Sequence, residues 1–457
     1  MSGTSPQAIA PGLSRRLAAF VRNSQWNDVP EPVCEHALRA LFNGFGTALG
    51  GSSDQAILRL AASLAPFSAG TAATVVGHGA KRDAPTAAFL NAASMNVFDF
   101  DDTHQGTIIH PTAPVAPVFL ALAELRPVSG TKLLHAFVLG VEVTCRIGNA
   151  ISPGHYNRGW HITSTCGIFG AAVAAAKLLD LTEEEILWAF GNASAQASGL
   201  VETLGFMAKS VGVGTAARGG LLAALMAKGG VEGPPMPLEG PRGFLKVLCH
   251  APKPELIERE LGSDWENLRN MFKPYPCGVV LNPVIDACLD LHRKPDFSAD
   301  LVSDITVRGC PLLKARADRP NVTTGREAQV SAQHAVAVAL LRGTAGAADF
   351  SDAAVNDPDV KALRATVRPI ETDEAIPVEA AYVSVRCSDG AHFEVRELAA
   401  TGSPARPMTD AALRDKFATL AEYGSPAIDA GALADSLCAL RDVSDVGSIM
   451  PLARPKA

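Results

Sequence analysis

Between two Ala-rich apolar runs, the stretch from Asn91 to Pro111 carries three carboxylates (Asp99, Asp101, Asp102), two imidazoles (His104, His110) and two hydroxyls (Thr103, Thr107). So many polar groups do not suit a core, so the flanking runs are expected to be buried helices that tether a loop at both ends. Chemistry concentrates on loops held by rigid elements. The residue types leave three readings open. The cluster is a site, or it is a metal centre, since Asp-x-Asp-Asp-x-His with a second His offers oxygen and nitrogen ligands. In the third reading its polar groups serve local structure, and Thr107 or Thr112 caps the helix that starts near Pro111.

Apolar residues recur at three- and four-residue spacing from Pro30 to Leu49, with Pro30-Glu31-Pro32 as a start and Gly50-Gly51 as a stop. The same pattern predicts helices over Ala56 to Leu64, Ala84 to Phe98, Thr112 to Leu125, Thr131 to Ile151 and Thr165 to Leu181. Thr182-Glu183-Glu184-Glu185 is a capping box opening a helix to about Ala197, and a Gly/Ala-rich helix runs from Gly212 to Lys228. Val75-Val76-Gly77 reads as a short strand or extended turn. Composition shifts after Pro241, and Phe272-Lys273-Pro274-Tyr275-Pro276-Cys277-Gly278 is a joint that no helix crosses. Beyond it, helices are expected from Asn282 to His292 and Glu327 to Leu341, and a strand from Val302 to Val307. Tyr382 to Cys387 and His392 to Glu397 read as a hairpin with a type I′ turn. Helices from Asp410 to Leu420 and Pro426 to Leu440 close the chain. The expected fold is mainly α with an α+β part: a helical domain over residues 1–267, completed by 405–457, and an α+β domain over 268–404.

Composition narrows the partners. Only 19% of the 457 residues are charged and the net charge is -7, so no basic field exists for nucleic acid. No apolar run long enough to span a bilayer escapes interruption by charge, Gly or Pro, and residues 1–12 lack a signal-peptide pattern; the expected location is cytoplasmic. Nine scattered cysteines argue against a disulfide framework or a metal ribbon and for small core residues.

Four segments each place titratable groups at a polar break between apolar helices: Asp99 to His110, Trp160-His161, Lys209-Ser210 and Lys273 to Pro276. Together with Gly167-Ile168-Phe169-Gly170, Gly214-Thr215-Ala216-Ala217 and the run from Gly402 to Lys416-Phe417, this ordered set resembles the MmgE/PrpD family over nearly the whole chain. That family includes dehydratases, decarboxylases and epimerases of small carboxylic acids. The resemblance implies a homodimer, a helical domain built from both chain ends, an inserted α+β lid domain, and a site needing neither metal nor cofactor. It carries catalytic roles to His110, His161, Asp99 and Thr103 and substrate-binding roles to Lys209 and Lys273, and His334 and Tyr275 are further substrate-binding candidates. The implied substrate is a small polycarboxylate, and the shared chemistry is proton transfer at a carbon next to a carboxylate. Histidine suits the base, and lysines suit stabilisation of the developing negative charge.

Two positions depart from the family pattern. His334 stands where decarboxylases of the family bring a tyrosine into the site, and Asn282 stands where other members tend to carry a histidine. The leading expectation is a lyase, a dehydratase or decarboxylase acting on a citrate- or aconitate-type acid. The alternative is an epimerase or isomerase of a small dicarboxylate, of the iminodisuccinate kind, with His334 as a second base. A non-catalytic carboxylate-binding protein and a metal-dependent hydrolase using the Asp/His loop complete the set.

Overall fold

The computed structural model describes residues 12–455. The protein is mainly α-helical with a small α+β part. It divides into two compact units: among the described residues, 12–97, 102–270 and 413–455 belong to the first, and 98–101 and 271–412 to the second. The second unit thus takes in residues 98–101, a segment that reads in sequence as part of the helical domain.

The first unit is built on Ile162–Leu178, a helix buried on nearly every side. It packs against Gly130–Ile151, Thr112–Ala123 and Ala208–Lys228, and the last of these also packs on Ala84–Asn96. Glycine sets the spacing. A Cβ on Gly170 would lie 1.9 Å from Thr144 Oγ1, and one on Gly220 would lie 2.4 Å from Ala171 Cβ, so larger residues would force these helices apart. The same reasoning corrects a boundary. Glu31–Gly51 runs through the Gly50-Gly51 pair expected to end it. Those glycines serve packing instead, since a Cβ on Gly51 would meet the Ser94 carbonyl oxygen at 2.2 Å.

Local signals place other ends. Thr182 and Glu185 form the expected capping box on Glu183–Ser194. Val75-Val76-Gly77 is a turn, with His78 N donating to Val75 O at 3.0 Å, and it follows the strand Ala73–Thr74, which pairs with Lys81–Arg82; buried Asn91 holds both by accepting from Val76 N (2.8 Å) and donating to Thr74 O (2.9 Å). The C-terminal helix Asp410–Gly424 returns to Glu31–Gly51, with Phe417 stacked on Phe42 and Lys416 Nζ donating to Asn43 Oδ1 at 2.7 Å. Two helices, Gly130–Ile151 and Ala208–Lys228, are long and apolar enough to cross a membrane by length and composition, although charges and glycines interrupt both. Their apolar windows are 94% and 61% buried inside the protein. Eight of the nine cysteines are buried free thiols.

In the second unit a four-stranded sheet has Val302–Gly309 at its centre, parallel to Glu371–Thr372 and antiparallel to Ala381–Cys387, which pairs with His392–Glu397. Helix Asn282–His292 covers the last two strands and packs on Ala332–Arg342. The hairpin turn is not type I′. Only Gly390 takes positive φ (92°), and Cys387 N donates to Ala391 O across a three-residue loop, the pattern in which a left-handed residue closes a longer turn. The single helix expected from Glu327 to Leu341 is two, Gly325–Ala328 and Ala332–Arg342, because Ser331 caps the second by accepting from His334 N.

Candidate active site

In the first unit, the short strand Asp102–His104 and the turn that follows it lead into Thr112–Ala123. Neither threonine expected to cap this helix does so: the N-cap residue is Pro111, and the first helical N–H, that of Thr112, is met by Asp102 Oδ1 at 3.4 Å. Thr112 instead donates its hydroxyl to Asp102, and the Asn270 amide donates to the same carboxylate oxygen. Thr107 Oγ1 lies 2.8 Å from His104 Nδ1.

His110 is 8% exposed. Its Nδ1 lies 2.9 Å from the Asp102 carbonyl oxygen and 3.3 Å from Thr103 Oγ1. A carbonyl only accepts, so Nδ1 carries the proton and the basic lone pair of the neutral ring sits on Nε2. The backbone N–H of His110 donates to Thr163 Oγ1 at 3.1 Å, which ties the loop to the first turn of Ile162–Leu178.

His161 occupies the N-cap position of that same helix, and its side chain does not cap. Its Nδ1 lies 2.7 Å from Ser164 Oγ, and its backbone N–H donates to Gly199 O at 3.0 Å. Two glycines crowd Ser164. A Cβ on Gly199 (φ 129°) would lie 2.7 Å from Ser164 Cβ, and one on Gly212 would lie 2.7 Å from Ser164 Oγ. The helix expected to begin at Gly212 begins at Ala208, so Lys209 lies in its first turn, on the side of Gly212 that packs on Ser164. His110, through its backbone, and His161 are thus both anchored at one helix N-terminus, the end whose N–H groups and dipole favour an anion, while Lys209 opens the helix whose Gly212 packs on Ser164.

The second unit holds the other candidates. Lys273, 2% exposed, places Nζ 3.0 Å from Asp99 Oδ2 and 2.9 Å from the Asp99 carbonyl oxygen. Its charge is matched by a carboxylate, and Asp99 (φ 55°) is held by the lysine. The Tyr275 hydroxyl donates to Asp286 Oδ1 at 2.5 Å, and burial with the adjacent carboxylate pushes its pKa far up. Asp286 in turn accepts from Thr401 N at 2.6 Å, so Tyr275 fastens the joint rather than offering its hydroxyl to a ligand. His334 is 0% exposed; its Nε2 donates to Asp349 O at 2.7 Å, and its ring lies edge-on to Phe350. Burial lowers its pKa to about 4. It is a core histidine of this unit and does not fit the role of a second base. Asn282, also buried, starts the helix Asn282–His292.

Reading by sequence passed over Thr163, Ser164 and Glu266. Thr163 and Ser164 stood in the polar turn after His161, and a helix start three residues earlier would have placed them in its first turn. Glu266 lies 162 residues from its partner His104, and nothing local marks it.

Comparison with known proteins agrees with this order of parts. The MmgE/PrpD N-terminal domain matches residues 15–257, and the MmgE/PrpD C-terminal domain matches residues 275–434. The chain belongs to the MmgE/PrpD family. Among curated members, cis-aconitate decarboxylase of Aspergillus terreus (strain NIH 2624 / FGSC A1156) is 31% identical over 62% of this chain and 61% of its own length. The chain thus spans about three fifths of that relative. The cis-aconitate decarboxylases of Mus musculus and Homo sapiens are each 27% identical over 89% of this chain, and over 86% and 87% of their own lengths. These two MmgE/PrpD relatives extend the likeness across both units.

Proposed function

We propose that this protein is a lyase that decarboxylates a small aconitate-type polycarboxylate, with His110 as the group that moves the proton. The observation that carries this reading is the anchoring of His110 and His161 at the N-terminal turn of one buried helix. A substrate carboxylate is stabilised there by the helix end, with Lys209 adding charge from the neighbouring helix. When the carbon–carbon bond to the departing carboxylate breaks, its electron pair stays on the substrate carbon and CO2 leaves. The carbanion then takes a proton from His110 Nε2 in its imidazolium form, and solvent restores that proton. His110 Nδ1 stays bound to the Asp102 carbonyl, so the ring keeps its aim while Nε2 gains and loses a proton.

The names of the relatives support decarboxylation over dehydration. The epimerase alternative drew on His334 as a second base, and its buried position removes that support. We carry a homodimer as part of the proposal: Leu200, Phe206, Met207 and Val211 leave an exposed apolar stretch beside Lys209, the kind of surface that a second copy covers.

The test is incubation with cis-aconitate in D2O, following CO2 release and product by NMR. One carbon-bound deuterium per product with stoichiometric CO2 is expected. Water loss or addition without CO2 would assign a dehydratase, and absence of turnover across citrate-, aconitate- and aspartate-type acids would overturn the lyase reading.

A further inference from the structure

We propose that His104, braced by Glu266, is the positioning residue that aims His110. The proposal rests on His110 being the proton-transfer group. His104 is 0% exposed and held at both ring nitrogens: Nε2 donates to Glu266 Oε2 at 2.9 Å, and Nδ1 lies 2.8 Å from Thr107 Oγ1. Its backbone closes the same loop. His104 N donates to Ile109 O at 2.7 Å, and His104 O accepts from Ile108 N at 2.8 Å. One residue of side chain and backbone therefore grips the three residues just before His110.

The grip works against resistance. Ile108 has φ 59°, a left-handed conformation that β-branched residues rarely adopt and that persists only where the surroundings over-determine it. Two features do so here. His104 pulls the loop closed from inside, and Gly148 receives it from below: a Cβ at Gly148 would lie 2.4 Å from Ile109 Cδ1. The brace is itself anchored. Beside Glu266, Asn267 Nδ2 donates to Glu142 Oε2 (2.9 Å) and Val138 O (3.1 Å) on Gly130–Ile151, and Arg269 O accepts from Gln105 N at 3.1 Å. Burial alone would raise the Glu266 carboxyl, yet the hydrogen bond and charge of His104, with Arg269, hold it at about 2. The carboxylate therefore stays a permanent acceptor for His104 through any working pH. His104 does not reach the reacting atoms; it acts through His110.

The test compares Glu266→Leu, Glu266→Gln, Thr107→Val and His104→Leu in the full chain. The readouts are kcat and KM for cis-aconitate and the ring resonances of 15N-labelled His110. Glu266→Leu and Thr107→Val are expected to lower kcat, toward the 10²-fold order that small misplacements of a catalytic group cause, with KM little changed and the His110 ring signals displaced. Glu266→Gln should recover most of kcat, because its side-chain carbonyl still accepts from His104 Nε2. Should His104→Leu fail to fold, the milder Thr107→Val decides the question. Unmoved His110 signals in Thr107→Val and Glu266→Leu would overturn the proposal, as would equal losses in the Gln and Leu variants. If the wild type turns over none of the acids, the His110 signals still decide the positioning role, while the lyase reading fails separately.

Discussion

Lys273 Nζ lies 3.0 Å from Asp99 Oδ2 with the lysine 2% exposed, so a cation and a carboxylate 174 residues apart neutralise each other inside the second unit. The pair changes what a lysine deletion means. Removing the lysine strands a largely buried carboxylate, which typically costs about 3–5 kcal/mol. Lys273→Ala is therefore expected to lose stability by about that order, and the double change Lys273→Met with Asp99→Asn to recover much of it. Urea unfolding measures both; a Lys273→Ala midpoint equal to wild type would contradict the ion-pair role.

His110→Asn tests the proton carrier with little disturbance. The asparagine amide can still donate to the Asp102 carbonyl as Nδ1 does, but nothing replaces Nε2. Turnover is expected to fall by about 10²–10⁴-fold, the usual contribution of a positioned acid or base, with the melting temperature nearly kept. Wild-type turnover would move the role to His161.

Gly212→Ala probes the packing behind His161. The added methyl would stand 2.7 Å from Ser164 Oγ, so Ser164 must shift and the His161 ring with it. Overpacking of this kind costs about 1–3 kcal/mol. Weaker substrate binding and lowered activity are expected together, whereas Gly229→Ala, whose nearest neighbours would be 3.4 Å away, serves as the tolerant control. Equal KM values for the two variants would show that the glycine does not support the site.

Acid should unfold the protein through histidines before carboxylates. Burial lowers His36, His135, His155 and His334 to about 4, against about 6.5 in the unfolded chain. Below pH 6.5 the unfolded state binds more protons, so stability is fully present above that value and is lost as pH falls toward 4. Glu266, held at about 2, follows the same sign at lower pH: its contribution is present above about 4.3 and fades as pH drops through 2. Urea midpoints at pH 7.5, 6 and 5 should fall in that order, and His36→Gln should flatten the slope. A midpoint that rises on acidification would refute the assignment.

Chelation should leave activity intact. Asp99 is engaged by Lys273, and Asp102 by Thr112 and Asn270, so these two carboxylates already have partners. Prolonged EDTA treatment followed by gel filtration is the measurement; activity lost there and restored by a divalent ion would require a metal.

The helices and the polar loop were legible because their signals are local. Apolar spacing marks Gly130–Ile151 to within a residue of expectation, and Thr182 with Glu185 announces its own helix. The Asp99 to His110 segment stood out because polar density between apolar runs is itself a local property. Ends were misjudged where glycine serves two purposes. Gly50-Gly51 and Gly212 look like breaks in one dimension, yet they are the contact points at which another chain segment comes close.

The sequence by itself determined that this chain is mainly helical, that its polar breaks carry imidazoles and lysines, and, through their order, which family it resembles. Periodicity, capping and motif order all act between near neighbours in the chain. Only the tertiary structure decided which partner several of those groups meet inside the protein. His104 found Glu266, Lys273 found Asp99, Tyr275 found Asp286, and His334 was closed into a core. Each outcome depends on packing that brings distant or separately buried groups together, and in a dense interior the nearest partner sets the charge, the tautomer and the reach of a side chain.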